Sequence, residues 1–273
     1  MKKKKKLKNK VGKKQIFLLG ISALIVLALL FLFCVYVFGF FGNKYRIESR
    51  TKNVIEAKKK DDENIKTVGW IRVQGTNIDY PVIYAPGYDF SAKVDDFAWI
   101  EVEFNELNNI VYISGHNIKN LSKNPIIGDK SHTRFEQLMA YTYYDFVKDN
   151  QFIQYTFNGK DYLYKIYSVS YVDFYKLDLY NLGPYDGDRM ERYIEATKAQ
   201  SLFNFDVDVK NTDKIISLDT CTRMYGEIST MHFRVNGRLL RKGEAAKISK
   251  VTTNSKYEEI EKIMEGEKKY EDA

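Results

Sequence analysis

The chain has 273 residues, 44% of them hydrophobic and 15% aromatic, enough for one large domain or two small ones with appendages. Its formal net charge of +7 is concentrated at one end: nine lysines fall within the first 14 positions, and the remainder carries 34 basic against 36 acidic residues, a balance of about −2. A near-neutral body behind a basic tail excludes a general nucleic-acid surface, and two cysteines about 190 positions apart exclude a disulfide framework.

Residues 1–15 form the basic tail. Residues 16–41 contain no charged side chain, a length sufficient to cross a hydrocarbon core of roughly 30 Å as a helix. The apolar run passes into Tyr36, Phe38, Phe40 and Phe41 without a small-residue cleavage site, so it is expected to be an uncleaved single-pass anchor. The lysines before it place the N-terminus in the cytoplasm and everything after Lys44 outside the cell. Residues 42–66 are polar and charged, with helix formers around Val54 to Lys58, and are expected to be a stalk ending in one helix.

The body is expected over residues 67–241. Val68 to Val73 and Ile78 to Tyr84 are strand-like runs joined by Gln74-Gly75-Thr76-Asn77, a hairpin. A third strand, Asn109 to Ser114, runs into Gly115-His116-Asn117. A polar loop over residues 119–133 holds His132, and a short amphipathic helix follows at Phe135 to Met139. The runs at 152–157 and 162–169 flank Asn158-Gly159-Lys160-Asp161, a second hairpin signal. Helical spacing covers 188–203. The strands Ile215 to Leu218 and Met231 to Leu240 close the body. Residues 242–273 are charge-rich, and the apolar positions Ile260, Ile263 and Met264 are too sparse to demand a core position, so this segment is expected to be a tail. About seven strands with a few helices and many aromatic residues imply a mainly β fold, a closed or nearly closed barrel with helical additions.

The chemistry centres on Cys221, at a strand end opposite a strand carrying His232 and Arg234. A thiol in an electropositive setting is a candidate nucleophile; the plain alternative is a buried free cysteine acting as a small apolar residue. Of the three histidines, His132 sits among Lys130, Ser131 and Arg134 like a solvated surface residue. His116 follows a strand end, as Cys221 does.

The run Ser217-Leu218-Asp219-Thr220-Cys221-Thr222 resembles the T-L-x-T-C motif of sortases, and Tyr112-Ile113-Ser114-Gly115-His116-Asn117 resembles their I-x-G-H-N segment. Val68-Gly69-Trp70-Ile71 and Gly75 to Val82 are similar to the opening of class B sortases. The resemblance implies a closed barrel of seven to eight strands with N-terminal and inserted helices, no cofactor and no metal. It implies a transpeptidase with Cys221 as nucleophile and His116 as acid/base partner. The third family residue is an arginine early in the last strand. Alignment through Val235 to Leu239 puts His232 at its place, with Arg234 two positions on and facing the same way. Arg234 is the expected third catalytic residue, because neutral imidazole cannot replace a permanent bidentate cation; His232, Thr220 and Asn117 are expected to contact substrate. The implied partners are sorting-signal peptides of exported proteins and an amine of the peptidoglycan precursor. The alternatives are a pilin-polymerising enzyme using a protein lysine, and a non-catalytic surface barrel that binds a peptide.

Overall fold

The computed structural model describes residues 12–41, 45–87, 98–100, 108–117, 134–174, 187–225 and 230–271. Most of the basic tail, His132 and the 119–133 loop lie outside them. The chain divides into two compact units, residues 1–44 and Tyr45–Ala273.

The first unit contains α1 (Lys13–Phe41), an unbroken helix of 29 residues. At 1.5 Å per residue it is roughly 44 Å long. Its segment Phe17–Cys34 is apolar and wholly exposed, which by length and composition makes it a candidate membrane anchor or signal sequence.

The second unit begins earlier than the sequence led us to expect. The Tyr45 N–H donates to the carbonyl of Ala246 (3.1 Å), and the Gln154 side-chain amide donates to the carbonyl of Glu48 (2.8 Å). Arg50 grips Asp79 through Nε (2.9 Å) and a terminal nitrogen (2.6 Å). Residues 45–66, expected as a stalk, are therefore fastened to the barrel, and they include α2 (Thr51–Lys58).

Strand β1 (Lys66–Val73) buries every second residue, as alternation predicts for a sheet with one face on a core. It pairs antiparallel with β2 (Asp79–Tyr84) in the expected hairpin. The three-residue β3 (Ala98–Ile100) lies parallel to β2 and leads across to β4 (Ile110–Ser114). The amphipathic helix predicted at 135–139 is a fully buried 3-10 helix, Phe135–Thr142, followed by the single turn α3 (Tyr144–Val147). Strands β5 (Phe152–Phe157) and β6 (Lys160–Asp173) form the second hairpin. Asn158 (φ 47°) and Gly159 (φ 70°) take the left-handed conformations that a two-residue turn between twisted strands requires. Next come α4 (Gly187–Gln200), β7 (Phe203–Phe205), β8 (Ile215–Cys221) and β9 (Met231–Leu239).

Eight strands close into a barrel in the order β1-β2-β3-β4-β8-β9-β6-β5. Its interior holds Ile71, Val82, Val111, Ile113, Ile153, Ile216, Leu218 and Val235 within one large apolar cluster. Strand β4 is apolar from Ile110 to Ile113 because both of its faces are covered. Val111 and Ile113 point into the barrel, while Ile110 and Tyr112 join a second cluster with Ile215 and with Met190, Tyr193 and Ile194 of α4. The period-2 rule therefore puts Asp219 and Cys221 of β8, and His232 and Arg234 of β9, on the outer face of the barrel.

The C-terminal segment is the clearest correction. Residues 242–273 are not a loose tail: β10 (Val251–Thr253) pairs antiparallel with β7, and α5 (Ser255–Glu271) follows. Val251, Tyr257, Ile260 and Met264 are buried in the main apolar cluster, with Ile263 packed against it. Three side chains at helical spacing suffice for docking because β10 has already brought the helix start onto the barrel.

Candidate active site

Cys221 is the last residue of β8, and its side chain is exposed. The neighbouring β4 runs parallel to β8, with Ser114 beside Asp219, so both strands release their chains at the same end of the barrel. Three hydrogen bonds join the two exits. The Gly115 N–H donates to the Asp219 carbonyl (3.2 Å), the Thr220 hydroxyl to the Gly115 carbonyl (2.7 Å), and the Asn117 side-chain amide to the Cys221 carbonyl (3.0 Å). Thr220 and Asn117, expected to contact substrate, thus both bond the two exit segments to each other. Gly115 is required by space: a Cβ there would lie 2.5 Å from the Phe135 ring.

His116 leaves this stitched segment with its ring against Trp99, centroids 4.9 Å apart. Its Nε2 is buried and has no hydrogen-bond partner among the described residues. The structure therefore brings the His116 and Cys221 backbones together without a side-chain bond between them.

The imidazole that does reach the thiol is His232. It is the direct register partner of Cys221 across the β8–β9 ladder, and its Nε2 lies 3.9 Å from Sγ, at the outer limit of an N–H···S contact. The other ring nitrogen, Nδ1, bonds Oδ2 of Asp219. Phe174 covers the ring at 4.7 Å between centroids. Burial opposes charging of His232, but the Asp219 hydrogen bond and charge, aided by the Cys221 sulfur, outweigh it and push the pKa up to about 9.

Arg234 sits one pleat further along β9 on the same outer face and is only 1% exposed. Its Nε and a terminal nitrogen both lie 3.0 Å from Oδ1 of Asp219, and its guanidinium stacks 5.9 Å from the Tyr112 ring. Asp219 is 2% exposed and divides its two oxygens between Arg234 and His232. The residue of this network that sequence reasoning passed over is Asp219. It occupies the unspecified position of the T-L-x-T-C pattern, and the signal available was its two-residue offset from Cys221, which puts both on one face.

A closed eight-stranded barrel with a thiol at a strand end, beside the exit of a parallel strand carrying histidine, has sortase-type architecture. No protein-family model matches the chain. Over 173 residues it is 29% identical to sortase B of Staphylococcus aureus, a match covering 60% of this chain and 66% of that protein. Against sortase B of Listeria monocytogenes the identity is 28% over 173 residues, 58% of this chain and 63% of the relative. The match thus spans just under two thirds of either relative. The crystal structure of Clostridium perfringens sortase B superposes with a TM-score of 0.55 at 22% identity, covering 70% of this chain and 99% of that one. In sequence and in fold the barrel unit is thus similar to these class B sortases.

Proposed function

We propose that the protein is a membrane-anchored cysteine transpeptidase that cleaves a C-terminal sorting signal of exported proteins and joins the new carboxyl end to an amine of the peptidoglycan precursor. The observation that carries this reading is the exposed Cys221 at the end of β8, with an imidazole 3.9 Å from its sulfur and the His116 segment bonded to its carbonyl through Asn117. In this reading the Cys221 sulfur attacks a peptide carbonyl, and an S–C bond forms as the carbonyl π electrons move onto oxygen. Collapse breaks the C–N bond; the departing amine keeps the electron pair and takes a proton from His116. The incoming amine attacks the thioester, returns a proton to His116 and releases the thiolate. The Nε2 of His116, which has no hydrogen-bond partner among the described residues, supports this role because it is not committed to another protein group there. Helix α1 would hold the enzyme in the membrane with its lysines on the cytoplasmic side.

The test is mass spectrometry of the protein incubated with candidate sorting peptides, looking for an acyl adduct on Cys221. Cys221→Ala should abolish both the adduct and peptide cleavage while leaving thermal unfolding nearly unchanged, since the side chain is exposed. Residual turnover within about tenfold of wild type would defeat the assignment.

A further inference from the structure

Across the β8–β9 ladder a thiol, an imidazole, a carboxylate and a guanidinium stand in series: Cys221, His232, Asp219, Arg234. We propose that Cys221, His232 and Asp219 work as a triad in which His232 is the cation beside the reacting sulfur and Asp219, clamped by Arg234, is the residue that positions and charges it. The inference rests on the transpeptidase reading for the reaction, and on the ladder geometry alone for the pairing.

The resemblance to class B sortases places an arginine where this chain has His232. A lone imidazole would be a poor substitute, because at its ordinary pKa of about 6.5 it is mostly neutral at pH 7. Here Asp219 compensates for that replacement. The Asp219 carboxylate accepts the Nδ1 proton, so the ring carries its other proton on Nε2, the nitrogen that faces Sγ. Arg234 donates from Nε to Oδ1 and places a terminal nitrogen 3.0 Å from the same oxygen, leaving Oδ2 for His232. That arrangement fixes the carboxylate plane and keeps a buried charge compensated. His116, by contrast, has no carboxylate partner among the described residues.

Among the described residues, the charged and titratable groups facing the His232 ring include Asp219 and Cys221 on β8, with Arg234 on its own strand acting through the shared carboxylate. From the other neighbouring strand, β6, the residue in register is Val172, and Asp173 next to it is bonded by the Thr230 hydroxyl (2.9 Å); beyond the strand end the apolar ring of Phe174 covers His232. Asp219 is thus the anion that holds the ring charged in the resting state. When Sγ attacks, its negative charge passes to the carbonyl oxygen. The His232 Nε2–H faces that oxyanion and keeps its proton, while His116 serves the leaving and entering amines. His232 therefore ends each half-reaction as it began, the duty a guanidinium would perform, with one difference: it can be switched off by base.

The sequence contains three histidines, so ring nitrogens of the full-length protein, labelled at histidine and held in detergent micelles, can be followed individually by NMR. One ring should titrate near pH 9 and vanish from the spectrum of His232→Gln. Asp219→Asn should lower that midpoint by at least one pH unit, and should shift the alkaline fall of the acylation rate by the same amount. His232→Arg should remove the alkaline fall altogether. If Asp219→Asn does not fold, His232→Gln, which leaves the Asp219–Arg234 pair in place, should still lower acylation on the order of a hundredfold. A His232 ring titrating near 6.5, an Asp219→Asn profile identical to wild type, or acylation by His232→Gln within about threefold of wild type overturns the triad. Absence of any acyl adduct on the wild-type protein, with the ring still titrating near pH 9, supports the pairing and defeats the transpeptidase reading instead.

Discussion

Arg234→Met separates a structural guanidinium from a catalytic one. The substitution keeps an unbranched side chain of similar length and removes the two N–H donors, 3.0 Å from Oδ1 of Asp219. Both partners are almost completely buried, Arg234 at 1% and Asp219 at 2% exposure. Breaking a buried pair from one side leaves an uncompensated charge and typically costs about 3–5 kcal/mol. For a domain of this size each kcal/mol moves the melting temperature by roughly 2–4 °C, so the expected loss is about 6–20 °C. Differential scanning calorimetry measures it. The Arg234→Met/Asp219→Asn double variant should be destabilised by less than the sum of the single ones, because the second change removes the charge that the first leaves stranded. An unfolding midpoint within about 2 °C of wild type, combined with acylation a hundredfold slower, would refute the reasoning: Arg234 would then serve the substrate oxyanion, where losing one donor is worth about 10² to 10³ in rate.

Three further outcomes can be checked. Ile260→Ala, which truncates a buried side chain of α5, should lower stability by roughly 2–5 kcal/mol in urea denaturation, whereas Lys262→Ala on its exposed face should change it by less than about 0.5 kcal/mol. Gly115→Ala drives a methyl group to 2.5 Å from the Phe135 ring and should cost about 1–3 kcal/mol, with acylation falling further because His116 is the next residue. Finally, the folded His232 pKa of about 9 lies above the ordinary value of 6.5. Its pairing therefore contributes stability that is complete below about pH 6.5 and lost as pH rises through about 9, on the order of 3 kcal/mol in all. Urea midpoints taken across that window should fall more steeply in wild type than in His232→Gln.

Much of the barrel was legible because its strands obey local rules. Alternation marked β1, and turn residues marked both hairpins. The strand β3 was not, since three residues carry no periodicity and its parallel pairing to β2 is decided by closure of the sheet. The docking of α5 escaped notice for a related reason: Tyr257, Ile260 and Met264 form a thin stripe, and only the β10–β7 pairing, about 45 residues apart in the chain, brings it to the core. At the site, Cys221 and His116 stood out through their motifs. The part played by Asp219 could not, because a carboxylate at a variable motif position acquires meaning only from the partners the neighbouring strand places beside it. The same holds for Arg234: parity along β9 put it on the right face, but its bond to Asp219 depends on the pairing of β9 with β8.

The bond from Asn117 to the Cys221 carbonyl spans 104 positions of sequence, and β4 meets β8 in parallel, a pairing that no hairpin can nucleate. The reactive centre is therefore a late product of folding. Contacts of such long separation form only after the loop-closure entropy of the intervening chain has been met, so a partly folded molecule holds Cys221 as an isolated thiol with no stitched histidine segment beside it. A chain emerging on the far side of a membrane would acquire its reactivity only once most of the domain, through β9, had been delivered.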